Sequence, residues 1–296
     1  MATGSPAAPP HHSHIRRIVQ AALEEDLHFG DLTSSILLSD AMEAKAQILA
    51  KERMVVAGLA VAQQVFHEVD TSLKLTFHRN DGATVSALTP LLTITGKAHS
   101  LLQAERVALN FLQRLSGIST LTRQFCRAVQ GLAVAIVDTR KTTPGLRALE
   151  KWAVRLGGGR NHRFSLSDGI LIKDNHLTLL SANKITLSQA CLLARQQASH
   201  GLRICVEVET LSQVRQALKG KADVLLLDNM TPTQVQQAMK VIKGHALVEI
   251  SGGITLKNIR EMAKARPDVI SIGALTHSAP AMDLSMKIVP LRSNIG

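Results

Sequence analysis

The densest chemistry in this sequence is Asp138-Thr139-Arg140-Lys141-Thr142-Thr143-Pro144-Gly145, where the apolar run 134–137 ends in an acid, two cations, hydroxyls and a turn. A second cluster, Gly157-Gly158-Gly159-Arg160-Asn161-His162-Arg163, sets a glycine turn directly before imidazole and guanidinium groups. Glycine lets a backbone approach a ligand closely, and arginine grips a carboxylate or phosphate through paired N–H groups. Arg140, Lys141, Arg163 and Lys173 all fall at or just beyond predicted strand ends. Converging, they would hold a small anion; taken singly, each is a solvated loop cation. Glu207 and Asp228 sit at the ends of two further runs. They could jointly hold Mg²⁺, a hard cation that shares oxygen ligands with substrate phosphates, or form ion pairs with the nearby cations. Ser251-Gly252-Gly253 and Ser271-Ile272-Gly273-Ala274 offer backbone N–H groups after the last two runs, the phosphate position of many α/β barrels. Cations, paired carboxylates and a phosphate cradle point to transfer chemistry on a phosphorylated, polyanionic substrate.

These residues need a frame that brings run ends together. The runs 134–137, 170–172, 204–208 and 224–227, with those leading into Ser251 and Ser271, are short and bounded by turn signals. Such runs fit strands buried on both faces, with the amphipathic segments between them as crossover helices. Six units of this kind predict a barrel-like parallel α/β domain whose chemistry gathers at the carboxyl ends of the strands. Upstream, Ser13 is a candidate N-cap for a helix carrying Ile15, Ile18, Val19, Ala22 and Leu23. Between 44 and 96 the pattern turns to strands at 47–50 and 91–94 around a helix at 61–69. The stretch 100–129 reads as one long helix broken near Ser116-Gly117, and 279–289 as a final helix packing back on the amino-terminal region. The expected organisation is a flexible tail over 1–13, an α+β domain over 14–116 joined by 279–296, and a catalytic barrel over 117–278.

Lys and Arg number 34 against 23 Asp and Glu, a net charge of +11 that predicts anionic partners. With six Phe, one Trp and no Tyr there is little from which to build a base-stacking platform, so small anionic substrates fit better than nucleic acid. Cys126, Cys191 and Cys205 are odd in number and widely spaced, which indicates neither a disulfide framework nor a zinc site. A reducing cytoplasm is expected, with no membrane span. The histidines His11, His12 and His14 belong to the expected tail. Neither GxGxxG nor GxxxxGK[ST] occurs, so the dinucleotide and P-loop readings lack their motifs.

The ordered segments ALEEDLHFGDLTS, ERVALNFLQRLSGIST, DTRKTTPGLRALEKWAV, GGGRNHRFSLSDGILIKDNH, VEVET, LLLDNM, EISGGI and SIGALTHSAPAMDLS resemble the quinolinate phosphoribosyltransferase family, of the type II phosphoribosyltransferase class. The resemblance covers nearly everything after the tail and implies an incomplete α/β barrel with an amino-terminal α+β domain. It implies transfer of the phosphoribosyl group of phosphoribosyl pyrophosphate to quinolinate with decarboxylation, in NAD biosynthesis, by a homodimer that uses Mg²⁺. Thr139, Arg140, Lys141, His162, Arg163 and Lys173 would then bind quinolinate, with Arg106 donated by the partner subunit. Glu207 and Asp228 would face the ribose and its magnesium, and Ser251, Gly252, Gly253, Ser271 and Gly273 would receive the 5-phosphate. Lys141, Lys173, Glu207 and Asp228 would be the catalytic set. The rivals are a paralogue of the same fold, either a molybdenum-transport-associated protein or a nicotinate phosphoribosyltransferase, and a basic nucleic-acid-binding protein with an inactive barrel. The full set of cations speaks for an acid with two carboxylates.

Overall fold

A computed structural model of the protein describes residues 7–291. The chain forms two compact units, Met1–Arg123 with Thr142–Gly158 and Leu275–Gly296, and Gln124–Lys141 with Gly159–Ala274. In chain order the elements are α1 (His12–Leu27), α2 (Leu32–Leu37), β1 (Glu43–Ala50), β2 (Met54–Val55), α3 (Leu59–Val69), β3 (Lys74–Phe77), β4 (Thr84–Val85), β5 (Pro90–Lys97) and α4 (Ala98–Ala128). There follow β6 (Ala135–Val137), α5 (Arg147–Leu156), β7 (Ile170–Ile172), α6 (Asp174–Ser181), α7 (Leu187–Gln197), β8 (Ile204–Val208), α8 (Leu211–Lys219) and β9 (Val224–Asp228). The chain closes with α9 (Pro232–Ile242), β10 (Leu247–Ser251), α10 (Ile259–Lys264), β11 (Val269–Ser271), α11 (Ala274–His277) and β12 (Leu284–Pro290).

In the first unit the sheet order is β12-β1-β5-β3. Ala44, Ala46, Ile48 and Ala50 alternate inward on β1 and are buried, the period-two signature of a strand with one covered face. Three local expectations are corrected here. The segment expected as a final helix contains Pro280 and then β12, which pairs antiparallel with β1 from Ala44↔Pro290 to Ala50↔Leu284; the N–H and C=O groups along β1 need a partner strand, a demand made from far away in sequence. The expected break at Ser116-Gly117 is instead a close-packing point within an unbroken α4. Ser116 Oγ accepts from Ala57 N at 3.0 Å, and a Cβ at position 117 would lie 1.9 Å from the Pro280 carbonyl. The N-cap of α1 is His11, whose Nδ1 accepts from Ser13 N at 3.4 Å, so Ser13 lies inside the helix. Of the expected tail, residues 1–6 lie outside the described residues, while the Ala7 carbonyl accepts from Trp152 Nε1 at 2.9 Å.

The second unit is a six-stranded parallel sheet of order β6-β11-β10-β9-β8-β7. The first strand thus pairs the last, as in a barrel, and among the described residues β6 and β7 are not paired with each other. Along this seam Arg160 lies on the edge of β6, its N–H donating to Ile136 O at 2.8 Å and its carbonyl accepting from Asp138 N at 3.2 Å. One face of the sheet carries Ile136, Val206, Leu225, Leu227, Val248, Ile250 and Ile270, all buried, beneath crossover helices. The registers place the alternating residues on the opposite face: Glu207 aligns with Leu226, Leu226 with Glu249, and Glu249 with Val269. One step nearer the carboxyl ends, Asp228 aligns with Ser251, and Ser271 with Val137.

Helix capping fixes how abruptly two of these strands end. After β8, Thr210 and Gln213 form a reciprocal capping box, Gln213 N to Thr210 Oγ1 at 3.2 Å and Thr210 N to Gln213 Oε1 at 3.0 Å. After β9, Thr231 and Gln234 repeat it. Such boxes satisfy the orphan donors of a first helical turn, so the carboxyl ends of β8 and β9 are held by two-residue and three-residue turns.

Candidate active site

Alternation brings the sequence-predicted polar residues onto the inner face at the carboxyl ends. Lys173 follows β7 and its Nζ lies 3.4 Å from Glu207 Oε2. Burial raises the Glu207 carboxyl above its ordinary value of 4.5; Lys173 opposes the rise and Asp228 adds to it. Two carboxylates near enough to repel each other invite a cation. Asp228 Oδ2 accepts from Asn229 Nδ2 at 2.8 Å, and among the described residues no third metal-ligating side chain joins the pair. Two carboxylates suit an octahedral Mg²⁺ that keeps waters and takes its remaining oxygens from substrate phosphates.

Two further cations of this unit lie near each other. Burial first, then repulsion from Arg140, pushes the Arg163 guanidinium below its ordinary range. Arg140 Nε is buried and makes no hydrogen bond. An unpaired buried N–H beside a second guanidinium is the mark of an anion site, since an ionised carboxylate would satisfy both. Thr139 Oγ1 accepts from Lys141 N at 3.0 Å, a short turn that carries Lys141 outward into solvent.

The 161–169 loop is held from several sides. Asp138, fully buried, accepts from Asn161 Nδ2 at 2.6 Å and from His162 N at 2.8 Å. His162 Nε2 lies 3.3 Å from Glu249 Oε2. Arg163 reaches the Gly169 carbonyl at 2.8 Å, and Phe164 N donates to Asp168 Oδ2 at 2.7 Å.

The last two strands end in small residues and a tight glycine turn. Gly252 and Gly253 both have positive φ, 85° and 62°, a left-handed backbone that favours glycine. A side chain at 252 would also meet Asn229 Oδ1 at 2.2 Å. Ser271 is buried, its hydroxyl 3.5 Å from the Ile250 carbonyl, and Gly273 follows it. Arg106 lies on α4 in the first unit and is exposed. A cavity of about 950 Å³ opens among Arg203, Lys219, Lys221, Asp223, His245 and Asp268. It lies at the amino ends of the strands, where Asp223 and Asp268 accept from Ile204 N and Val248 N, and is remote from this cluster.

Sequence reasoning missed Glu249 and the orienting roles of Asp138 and Asn229. Glu249 had a signal: a carboxylate inside an otherwise apolar strand costs free energy unless it is used. Nothing local distinguishes Asp138, whose side-chain partners come from the 161–162 loop, or Asn229, whose N–H is held by the Ser251 carbonyl at the end of β10.

Profiles of the quinolinate phosphoribosyl transferase family match the chain in two parts, the N-terminal domain over residues 31–116 and the C-terminal domain over 118–287. A probable nicotinate-nucleotide pyrophosphorylase [carboxylating] of Bacillus subtilis is 40% identical over 94% of this chain and 94% of its own length. A quinolinate phosphoribosyltransferase [decarboxylating] of Nicotiana tabacum is 39% identical over 95% of this chain and 84% of its own. The solved NadC structure from Streptococcus pyogenes is 39% identical, superposes with a TM-score of 0.91, and covers 96% of this chain and 100% of its own. With both of its domains matched in order, the chain belongs to the quinolinate phosphoribosyl transferase family.

Proposed function

We infer that the protein transfers the phosphoribosyl group of phosphoribosyl pyrophosphate to quinolinate with decarboxylation, yielding nicotinate mononucleotide, pyrophosphate and CO₂ in de novo NAD biosynthesis. The observation that carries this reading is the buried, unpaired Arg140 Nε beside Arg163, in a unit whose sheet also carries the Glu207–Asp228 pair and in a chain with nearly full-length family relatives.

The residue types fit each step. Arg140, Arg163, Lys141 and Lys173 would hold the two carboxylates, with Thr139 and His162 shaping the same wall. Ser251, Gly252, Gly253, Ser271 and Gly273 would take the 5-phosphate, leaving the ribose over Glu207 and Asp228. The pyridine nitrogen then attacks C1 as the bond to pyrophosphate breaks with both electrons leaving on oxygen. In the second step the bond from C2 to its carboxylate breaks, the pair flows into the positively charged ring, CO₂ departs and C2 takes a proton from solvent. Holding both substrates in line can supply up to roughly 7–11 kcal/mol of the barrier. Glu207 and Asp228 would hold Mg²⁺, which supplies charge stabilisation for the departing pyrophosphate. Lys173, paired with Glu207, keeps that carboxylate ionised and aimed.

Arg106 is proposed to enter the quinolinate site from the partner subunit of a homodimer. Support comes from its exposure on α4 and from apolar side chains open to solvent at Phe29, Leu32, Ile36 and Leu37, a run that a second subunit would cover. Among the described residues no helix is long and apolar enough to cross a membrane, and the buried Cys191 and Cys205 thiols suit the reducing cytoplasm proposed here.

The test is to mix protein, Mg²⁺, phosphoribosyl pyrophosphate and quinolinate and to measure nicotinate mononucleotide and CO₂. Equimolar formation is expected. Their absence, with substrates intact, would overturn the reading.

A further inference from the structure

Among the described residues, Glu249 is a charged side chain of the inner face that the proposed reaction leaves without a role. It is 4% exposed, in the middle of β10, aligned with Leu226 on one side and Val269 on the other. Its Oε2 faces His162 Nε2 at 3.3 Å, while Oε1 is buried and makes no hydrogen bond. A half-satisfied buried carboxylate is a poor stabiliser, and an apolar residue of similar size serves a core at least as well. Its placement against the imidazole calls for another account.

The other ring nitrogen supplies it. His162 Nδ1 accepts from the main-chain N–H of Arg163 at 2.8 Å. A main-chain N–H can only donate, so Nδ1 carries the lone pair and the ring proton sits on Nε2, toward Glu249. The imidazole is therefore spanned between a carboxylate rooted in β10 and the backbone of Arg163. From there the Arg163 side chain runs to the Gly169 carbonyl at 2.8 Å, at the start of β7.

We propose that Glu249 is a positioning residue: through the Nε2–H of His162 it fixes the Arg163 main chain, and so aims that guanidinium at the quinolinate carboxylates. On this account His162, engaged at both ring nitrogens, is the brace of the site and Arg163 is the hand. The inference rests on the functional reading above for its substrate but not for its geometry. A rigid second layer of this kind sets a binding group before substrate arrives and reduces the ordering cost of binding.

The experiment uses Glu249→Met, which keeps side-chain length without an acceptor, and Glu249→Gln, which keeps an acceptor oxygen. Imidazole ¹⁵N shifts of His162, assigned by comparison with His162→Ala, report the tautomer without any substrate. Wild type and Glu249→Gln should show a single fixed ring with the proton on Nε2, and Glu249→Met should shift both ring nitrogens toward the averaged values of a mobile imidazole. By calorimetry Glu249→Met should weaken quinolinate by about 10-fold or more, by analogy with the loss seen when an orienting carboxylate is removed from behind a metal-ligating histidine. Affinity for phosphoribosyl pyrophosphate should change by less than about 2-fold, and Glu249→Gln should recover most of the quinolinate affinity. In a His162→Ala background, Glu249→Met should add less than about 2-fold, because the two residues act as one unit. Unchanged ¹⁵N shifts in Glu249→Met, equal losses for both substrates, or fully additive losses in the double variant would each overturn the proposal. If wild type binds no quinolinate, the functional reading fails instead, and the tautomer measurement still judges the brace.

Discussion

Gly252→Ala tests the link between backbone shape and the phosphate cradle. Position 252 has φ +85° and faces Asn229, with an added Cβ 2.2 Å from Oδ1, 2.7 Å from Cγ and 2.8 Å from the backbone N. Two costs combine. An alanine in left-handed backbone costs about 1–2 kcal/mol, and forcing a methyl into filled space typically costs about 1–3 kcal/mol more. The expected destabilisation is therefore about 2–5 kcal/mol, since the crowding atoms include backbone as well as the flexible amide. The thermal midpoint should fall by at least about 4 °C, given the 2–4 °C per kcal/mol usual for chains of this size or somewhat smaller. The functional loss should be selective. Asn229 donates to Asp228 Oδ2 at 2.8 Å and its own N–H donates to the Ser251 carbonyl at 3.0 Å, so displacing it disturbs both the carboxylate and the cradle. KM for phosphoribosyl pyrophosphate should rise by at least about 10-fold while KM for quinolinate moves by less than about 3-fold, the pattern of lost binding at one subsite. Asn229→Gly in the same chain removes Oδ1 and Cγ and is at ease at φ 53°, so the double variant should regain part of the stability. An unchanged midpoint, or equal rises in both KM values, would refute the reasoning.

Nicotinate should be discriminated against by about 10⁴ or more in kcat/KM relative to quinolinate, because one missing carboxylate leaves buried cations unpaired; parallel assays with the two acids check this, and comparable turnover contradicts it. Glu207 must be ionised to pair with Lys173, and burial raises its carboxyl above 4.5, so the acid limb of the rate profile should lie above the ordinary carboxylate range and disappear in Glu207→Gln. For stability the sign is opposite: a raised carboxyl contributes most below 4.5 and loses that contribution as pH rises through the folded value, so Glu207→Gln should gain on wild type in thermal melts as pH rises above 4.5. Glu150 is fully buried and accepts from Arg114 at 2.9 Å, Thr143 Oγ1 at 2.8 Å and Thr143 N at 3.1 Å; Glu150→Ala should cost about 3–5 kcal/mol in denaturant unfolding and Glu150→Gln clearly less, with equal losses speaking against the ion pair. Mixing inactive Arg106→Ala subunits with inactive Lys173→Ala subunits should restore about a quarter of wild-type activity if one site of each hybrid dimer is intact; no recovery despite subunit exchange would place Arg106 outside a shared site.

What the sequence determined by itself was where strands end and what they carry there. Apolar runs such as 224–227 breaking into Asp228 are local signals, because burial on both faces demands continuous apolar residues and a binding site demands that they stop. The parallel six-stranded unit and the polar inner face at its carboxyl ends follow from those signals, and the ordered motifs named the family. Tertiary structure decided what depends on partners distant in the chain. Residues 284–290 form a strand because β1 needed an antiparallel neighbour, which no local periodicity records. Gly117 is a contact point for the Pro280 carbonyl and not a helix break, since a glycine permits either and only the packed neighbour selects one. Glu249 reads in sequence as an acid within a strand; that it faces His162, and that His162 in turn holds the Arg163 backbone, required β10 and the 161–169 loop to meet in space. Hydrogen-bond geometry across 87 residues of chain is set by register and layer, and neither is written in the types of the residues that use it.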